Sequence, residues 1–226
     1  METSQLLKQN IVFSNLNERM LDDLIEGAII RQYHKGQYLT HPGDTWPYLF
    51  YLLKGSISAI KESLEGRSLV ATTFKADEVF WGVSFFDLNL PMPVALKADS
   101  QSSVYLWSRE QMLPVLMQNG GVSWELSRLM VRRMLRASEI VEELAFQPVA
   151  GRLARLLIDY PGQSAAGPVA RSLTLDDMAA RIGSTREVVC RFLQQFADEQ
   201  LIKITRTEFE ITDRDGLLGI VRKVRG

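Results

Sequence analysis

From Ser123 to Phe146 the chain keeps an unbroken helical period and contains neither proline nor glycine. That run predicts one long helix. Along it, Leu126, Met130, Arg133, Ala137, Ile140 and Leu144 follow one another at spacings alternating four and three, and a second stripe passes through Val131, Met134, Ser138, Val141 and Ala145. Two stripes imply two packing partners. Both can lie in the helix's own domain, or one can lie there and the other in a second copy, across a parallel coiled coil. The first stripe is taken as the dimer seam. The helix, placed at residues 119–146, divides the chain into a segment before it, 1–118, and a segment after it, 147–226.

The preceding segment has a different texture. From Arg31 to Trp107, Gly36, Gly43, Gly55, Gly66 and Gly82 separate short stretches rich in Tyr, Phe, Val, Ile and Leu, the pattern of short strands and turns. "YLFYLLKGSISAIKE" and "RSLVATTF" carry the β-branched and aromatic content of strands, and "LEGR" supplies a hairpin turn through Gly66. A β-roll or barrel packs such strands. Ahead of it, Met20, Leu21, Leu24 and Ile25 repeat at helical spacing after an Asn17 cap.

After Pro148 the helical run "VAGRLARLLIDY" leads to a Pro/Gly/Ser connection, "PGQSAAGPVARS", and then to "SLTLDDMAARIGSTREVVCRFLQQFADEQLI". The last stretch divides into two helices around Gly183. Ser172 or Thr174 caps the first helix, with Asp176 and Asp177 in the first turn, where the helix dipole favours carboxylates. The second begins near Ser184 or Thr185, buries Val188, Phe192, Leu193 and Phe196, and leaves Arg186, Glu187 and Arg191 to project. Helix, glycine turn and helix at this spacing predict a helix-turn-helix, whose second helix lies in the major groove of DNA. There the arginines suit guanine edges and Glu187 a cytosine amine. Thr174, Ser184 and Thr185 are placed for phosphates, and "LIKITRTEFEITD" reads as a two-stranded wing carrying Lys203 and Arg206 to the DNA backbone.

The whole order resembles the family of the cyclic-AMP receptor protein and the fumarate and nitrate reduction regulator. "KGQYLTHPGD", "FYLLKGSI" and "ADEVFWGVSFFD" are similar to that family's sensor signatures, and "STREVVCRFLQQFADEQLI" to its recognition helix. The resemblance implies an α+β chain: a cyclic-nucleotide-binding-like β-roll, a dimerisation helix and a winged helix-turn-helix. It also implies a homodimeric transcription regulator on double-stranded DNA, gated by a small-molecule effector and working with RNA polymerase. Arg186, Glu187 and Arg191 match the base-contacting Arg, Glu and Arg of the cyclic-AMP branch, which implies TGTGA-like inverted half-sites. The fumarate and nitrate branch has a serine where Cys190 stands here.

The effector stays open. In the cyclic-nucleotide branch a glutamate follows the cradle glycine and an Arg-Ser pair comes about ten residues on; here Val83 follows Gly82, and "VSFFDLNLPMPVAL" contains no arginine. A cyclic nucleotide is therefore not expected. The single cysteine, Cys190, excludes an iron–sulfur cluster, whereas His34, His41 and eight methionines leave haem open without an evident ligand pair. Trp81, Gly82, Val83, Phe85, Phe86 and Met92 offer an apolar cradle that Arg128 and Arg132 face, suited to an apolar or carboxylate-bearing molecule. The plainer alternative is that these aromatics fill the barrel. No nucleophile–base arrangement suggests an enzyme. A net charge of −1 requires any basic surface to be local. Without an apolar run long enough for a bilayer, or a signal core in "METSQLLKQN", a cytoplasmic protein without membrane contact is expected. The rival reading is a small-molecule or haem-binding sensor acting through protein contacts.

Overall fold

The computed structural model describes residues 2–160 and 167–222, so the connection that begins at Pro161 lies, through residue 166, outside the described residues. Contacts divide the chain into two compact units, Met1–Lys61 with Ala71–Arg136, and Glu62–Val70 with Ala137–Gly226. The division falls within the long helix.

The first unit opens with α1 (Glu2–Gln9) and α2 (Glu18–Gly27), the latter capped by the Asn17 side chain, which accepts from the Met20 N–H at 3.0 Å. Strands β1 (Ile29–Tyr33), β2 (Tyr38–Thr40), β3 (Tyr48–Lys54), β4 (Ser56–Glu62), β5 (Ser68–Lys75), β6 (Val79–Trp81), β7 (Ala95–Ala98) and β8 (Ser102–Ser108) follow. They form two four-stranded antiparallel sheets, in the orders β1-β8-β3-β6 and β2-β7-β4-β5. Helices α3 (Arg109–Gln118) and α4 (Gly120–Phe146) come next.

Strands β3 and β8 organise this unit because both of their faces are buried. Phe50, Leu52, Val104 and Leu106 point into the core between the sheets, and Leu49, Tyr51, Tyr105 and Trp107 point toward the helices. Period-two alternation thus yields a continuous apolar run rather than an apolar/polar one. Between the sheets, Phe80 stacks on Phe50 and on Phe74 with centroids 4.4 Å apart in each case. On the other face Phe13 meets Trp107 edge-on, and the Trp107 indole N–H donates to the Leu24 carbonyl at 2.6 Å. Leu7, Leu21, Met112, Val122 and Leu126 close this second core.

The second unit holds the C-terminal part of α4, then α5 (Val149–Ile158), β9 (Val169–Ala170), α6 (Leu175–Ile182), α7 (Arg186–Asp198), β10 (Ile202–Ile204), β11 (Glu208–Ile211) and α8 (Arg214–Arg222). Its core joins Leu153 and Leu157 of α5 to Met178 and Ile182, to Val189, Leu193 and Phe196, and to Leu217. The wing has three strands in the order β10-β11-β9, where the sequence suggested two. A two-residue strand has no periodicity to detect, and β9 is made only by its pairing with Glu208 and Phe209.

The Phe50–Phe80–Phe74 stack should dominate the stability of the β-roll. Phe80→Ala, at a fully buried position, is expected to cost about 3–5 kcal/mol. Urea unfolding followed by tryptophan fluorescence checks it, and a midpoint equal to wild type would rule out the stack as a stabilising centre.

Candidate nucleic-acid interface and sensor cavity

Each helix of the C-terminal pair is fixed by its ends. Thr174 caps α6 through a capping box: its hydroxyl accepts from the Asp177 N–H at 3.1 Å, and the Asp177 carboxylate accepts from the Thr174 N–H at 2.9 Å and from its hydroxyl at 2.7 Å. The hydroxyl proton of Thr174 is therefore committed within the box, and a phosphate would have to displace Asp177 to receive it. At the other end Gly183 takes the left-handed conformation, φ 60°, and a Cβ there would come 2.6 Å from Leu144 Cδ2. Thr185 caps α7, accepting from the Val188 N–H at 3.5 Å.

Helix α7 buries Val189, Leu193 and Phe196, while Val188 and Phe192, expected inside, are only partly covered. Its outward face presents Arg186, Glu187, Cys190, Arg191, Gln194 and Gln195. The C-terminal half of that face is self-paired, Gln194 donating to Asp198 at 2.9 Å and Gln195 to Glu199 at 2.8 Å. The N-terminal half is held loosely. Arg186 lies 3.8 Å from Asp176 with both side chains largely exposed, and exposed pairs of this kind hold a side chain weakly. The Arg191 guanidinium rests 5.3 Å from the Phe192 ring centroid. Glu187 has its carboxyl held below the usual carboxylate range by its own backbone N–H and by the Thr185 hydroxyl. A depressed value keeps Glu187 ionised at neutral pH, and the stabilisation it gives α7 is lost only as pH falls through that lowered value.

Around this face, Ser184 is half-buried, with its N–H donating to the Ala179 carbonyl at 2.9 Å. In the wing, Lys203 faces Glu210 across the strands at 3.9 Å, and Arg206 is exposed in the turn between β10 and β11. Arg152 was not singled out from the sequence. Its guanidinium donates to the Gln147 carbonyl at 2.5 Å, to the Glu143 carbonyl at 3.4 Å and to the Ile182 carbonyl at 2.8 Å. It thereby ties the end of α4 to the end of α6, two C-termini whose last carbonyls lack helical partners. Burial lowers the Arg152 pKa, and Glu143 opposes that shift. The signal was an arginine on the otherwise apolar face of "VAGRLARLL".

The expected apolar cradle in the first unit is a filled turn. Phe85 belongs to the core under the helices and Met92 to the core between the sheets, since a large apolar side chain gains most where water is fully excluded. Gly82 is buried, and a Cβ on it would overlap the Trp46 carbonyl. Val83 is partly buried, and Phe86, exposed, meets Trp81 edge-on at 5.7 Å. Arg109 clamps the turn by donating to the Phe85 carbonyl at 2.7 Å and the Phe86 carbonyl at 2.9 Å. Arg128 turns to Glu125 at 2.8 Å rather than toward the cradle, and Arg132 is exposed. His34 follows the end of β1, and His41 stacks on Tyr38 at 4.7 Å beside a turn, so both lie on the surface.

Two residues of the expected dimer seam are also engaged within their own chain. Leu126 is buried in the core under the helices, and Arg133 inserts its guanidinium against Phe74, 4.8 Å from the centroid, and Trp81, 4.4 Å, while donating to the Val79 carbonyl. Burial pushes the Arg133 pKa down to about 10, with Glu78 acting the other way. Of the other seam residues, Met130 and Ile140 are partly covered, and Ala137 and Leu144 are exposed. The face left bare is the second stripe, Val131, Met134 and Val141, which Trp124 extends toward the N-terminus; these four are 51–66% exposed.

Comparison with known proteins places these parts in order. Residues 30–119 match the cyclic nucleotide-binding domain, and residues 151–220 the Crp-like helix-turn-helix domain. The cAMP-activated global transcriptional regulator CRP of Pasteurella multocida is 25% identical over 177 residues, 76% of this chain and 85% of that protein. The cAMP-activated global transcriptional regulator Vfr of Pseudomonas aeruginosa is 24% identical over 191 residues, 81% of this chain and 89% of its own. Among solved structures, a transcriptional regulator of the CRP/FNR family from Eubacterium rectale superposes with a TM-score of 0.78 at 20% identity, covering 93% of this chain and 97% of the other. The c-di-GMP responsive regulator CLP of Xanthomonas campestris gives 0.72 at 22% identity, covering 86% and 99%. No helix among the described residues is long and apolar enough to cross a membrane.

Arg152→Met should leave the Ile182 and Gln147 carbonyls without their charged donor, at a cost of about 1.5–3 kcal/mol. Chemical denaturation followed by far-UV circular dichroism should show an earlier transition, only partly restored in Arg152→Lys, whose single ammonium cannot span three carbonyls. An unchanged transition in the methionine variant would show that the bridge carries no stability.

Proposed function

Because the chain belongs to the CRP/FNR family of DNA-binding transcription regulators, we propose that it acts as a homodimer that reads inverted TGTGA-like half-sites and is gated by an effector held in the β-roll. The observation that carries this reading is the N-terminal half of the α7 face, where Arg186, Glu187 and Arg191 are exposed and no packing role requires them. A guanidinium donates a bidentate pair to guanine O6 and N7, and an ionised carboxylate accepts from cytosine N4. The weak pairing of Arg186 with Asp176 lets the arginine be exchanged onto a base edge at little cost. Ser184 and Thr185 at the helix start, with Thr174, Lys203 and Arg206 around them, are proposed to meet phosphates and set the register. RNA polymerase is proposed as the partner that reads out the bound state.

The proposed dimer seam is the bare stripe through Trp124, Val131, Met134 and Val141, with Ser138 and Ala145 as its small positions. Its three-and-four spacing is that of a coiled-coil seam. The curated relatives are named for activation by cAMP. In this chain Val83 follows the cradle glycine, Phe85 and Met92 are core residues, and the Arg109 guanidinium at the turn is taken by the Phe85 and Phe86 carbonyls, which leaves a phosphate neither a ready cation nor space there. The proposed effector is accordingly not a cyclic nucleotide.

Site selection from random DNA tests the code. Arg186→Ala or Arg191→Ala should cost about 1–3 kcal/mol and relax preference at one base pair, whereas Lys203→Ala should weaken all sequences alike. Unchanged site preference in Arg186→Ala would remove that residue from the code. If the chain instead acts through protein contacts alone, the steep fall of DNA affinity with salt will be missing. Val141→Glu should reduce association and DNA binding together, as sedimentation and electrophoretic mobility report. Inserting five base pairs between half-sites should abolish tight binding by turning one half-site to the far face of the duplex.

A further inference from the structure

The first unit contains a cavity of about 550 Å³ that the turn after β6 does not line. Its walls are the end of α1 and the residues following it, Gln9–Val12; strand β5 at Thr72–Phe74; the turn Asp77–Val79; and Leu129, Arg132, Arg133 and Arg136 of α4. Much of this lining lies outside the matched cyclic nucleotide-binding segment, residues 30–119: both the N-terminal wall and the arginine wall are additional to it. The cavity is therefore built largely from residues outside that matched segment.

Its walls carry both signs of charge, Asp77 and Glu78 from the turn and the arginines from α4. On one side Asp77 is already satisfied, its carboxylate accepting from the Tyr51 hydroxyl at 2.7 Å and from the Asn10 amide at 3.3 Å. On the other side stand the arginines. Arg133 meets two aromatic rings and a single carbonyl, although a guanidinium carries five N–H donors, and the Glu78 charge acts on it only through space. The guanidinium is partly buried and spends a donor on one carbonyl, so its other N–H groups can be taken by an anion in the cavity. Arg132 adds an exposed guanidinium on the same wall. The volume far exceeds the roughly 30 Å³ share of one water, and Phe74 and Leu129 provide apolar wall for an organic body.

We propose that this cavity is a binding site for a small organic oxyanion, a carboxylate or a phosphate ester, whose negative group is taken by Arg132 and Arg133. The inference rests on the reading of the β-roll as a sensor, but anion binding is measurable without DNA, so the two can fail separately. Trp81, in contact with the Arg133 guanidinium, is a built-in reporter.

Titrate the full chain with citrate for the carboxylate class and glycerol 3-phosphate for the phosphate-ester class, with sodium chloride at matched ionic strength as control, following tryptophan fluorescence and equilibrium dialysis. At least one probe should bind saturably where chloride does not, and the two arms identify which oxyanion the site prefers. Arg133→Met should weaken that binding tenfold or more. Because Arg133 is partly buried and packed on two rings, Arg132→Gln at an exposed position serves as the second variant and should weaken binding several-fold while leaving the circular dichroism spectrum unchanged. Absence of saturable binding by both probes, or equal affinity in wild type and Arg132→Gln, would overturn the proposal. Saturable anion binding in a chain that fails to bind DNA would leave the cavity assignment standing and remove the DNA-reading one.

Discussion

A helix of 27 residues presents more surface than one β-roll can cover, and the division of that surface governs much of this protein. On one side Val122 and Leu126 complete the core under the helices, and further along Arg133 reaches back to lie against Phe74 and Trp81. Once those residues are committed, the opposite stripe has no partner among the described residues. Trp124, Val131, Met134 and Val141 stand open to water at coiled-coil spacing, a surface that soluble chains seldom leave uncovered. The β-roll thus selects, by what it buries, which face of the helix stays open to water.

The C-terminal unit follows the same physical logic on a smaller scale. Val189, Leu193 and Phe196 of α7 are drawn inward against α5 and α6, and the helix period then directs Arg186, Glu187 and Arg191 outward. The angle between α6 and α7 depends on Gly183, where a side chain would meet Leu144, and Arg152 joins the last carbonyls of α4 and α6 through one guanidinium. The ends of α4 and α6 are thereby held to that one arginine. Its long side chain holds carbonyls of two helices at once, which a shorter or uncharged residue cannot do.

Readings based on local chemistry agree well with the structure. The Asn17 cap, the turn at Gly66, the glycine between α6 and α7, Thr174 as one of two candidate caps of α6 and the exposed charges of α7 all rest on spacings of a few residues. The cradle did not survive. Trp81, Phe85 and Met92 are apolar in any context, and composition does not say whether an apolar side chain lines a space or fills one. Phe85 and Met92 went into two different cores. The cavity near Gln9 and Arg136 was invisible for the converse reason, since its walls come from three segments far apart in the chain.

From the sequence alone came the order of parts, the helical and strand periods, and the residues a helix-turn-helix turns outward, because each depends on the stereochemistry of neighbouring residues. Only the tertiary structure decided which of two equally regular stripes on α4 is in part consumed by the chain itself, that the Arg133 guanidinium lies against Phe74 and Trp81, and that β9 joins the wing. Those outcomes depend on which distant surface arrives first to exclude water or complete a ladder, and a periodic pattern is silent about the partner that will cover it.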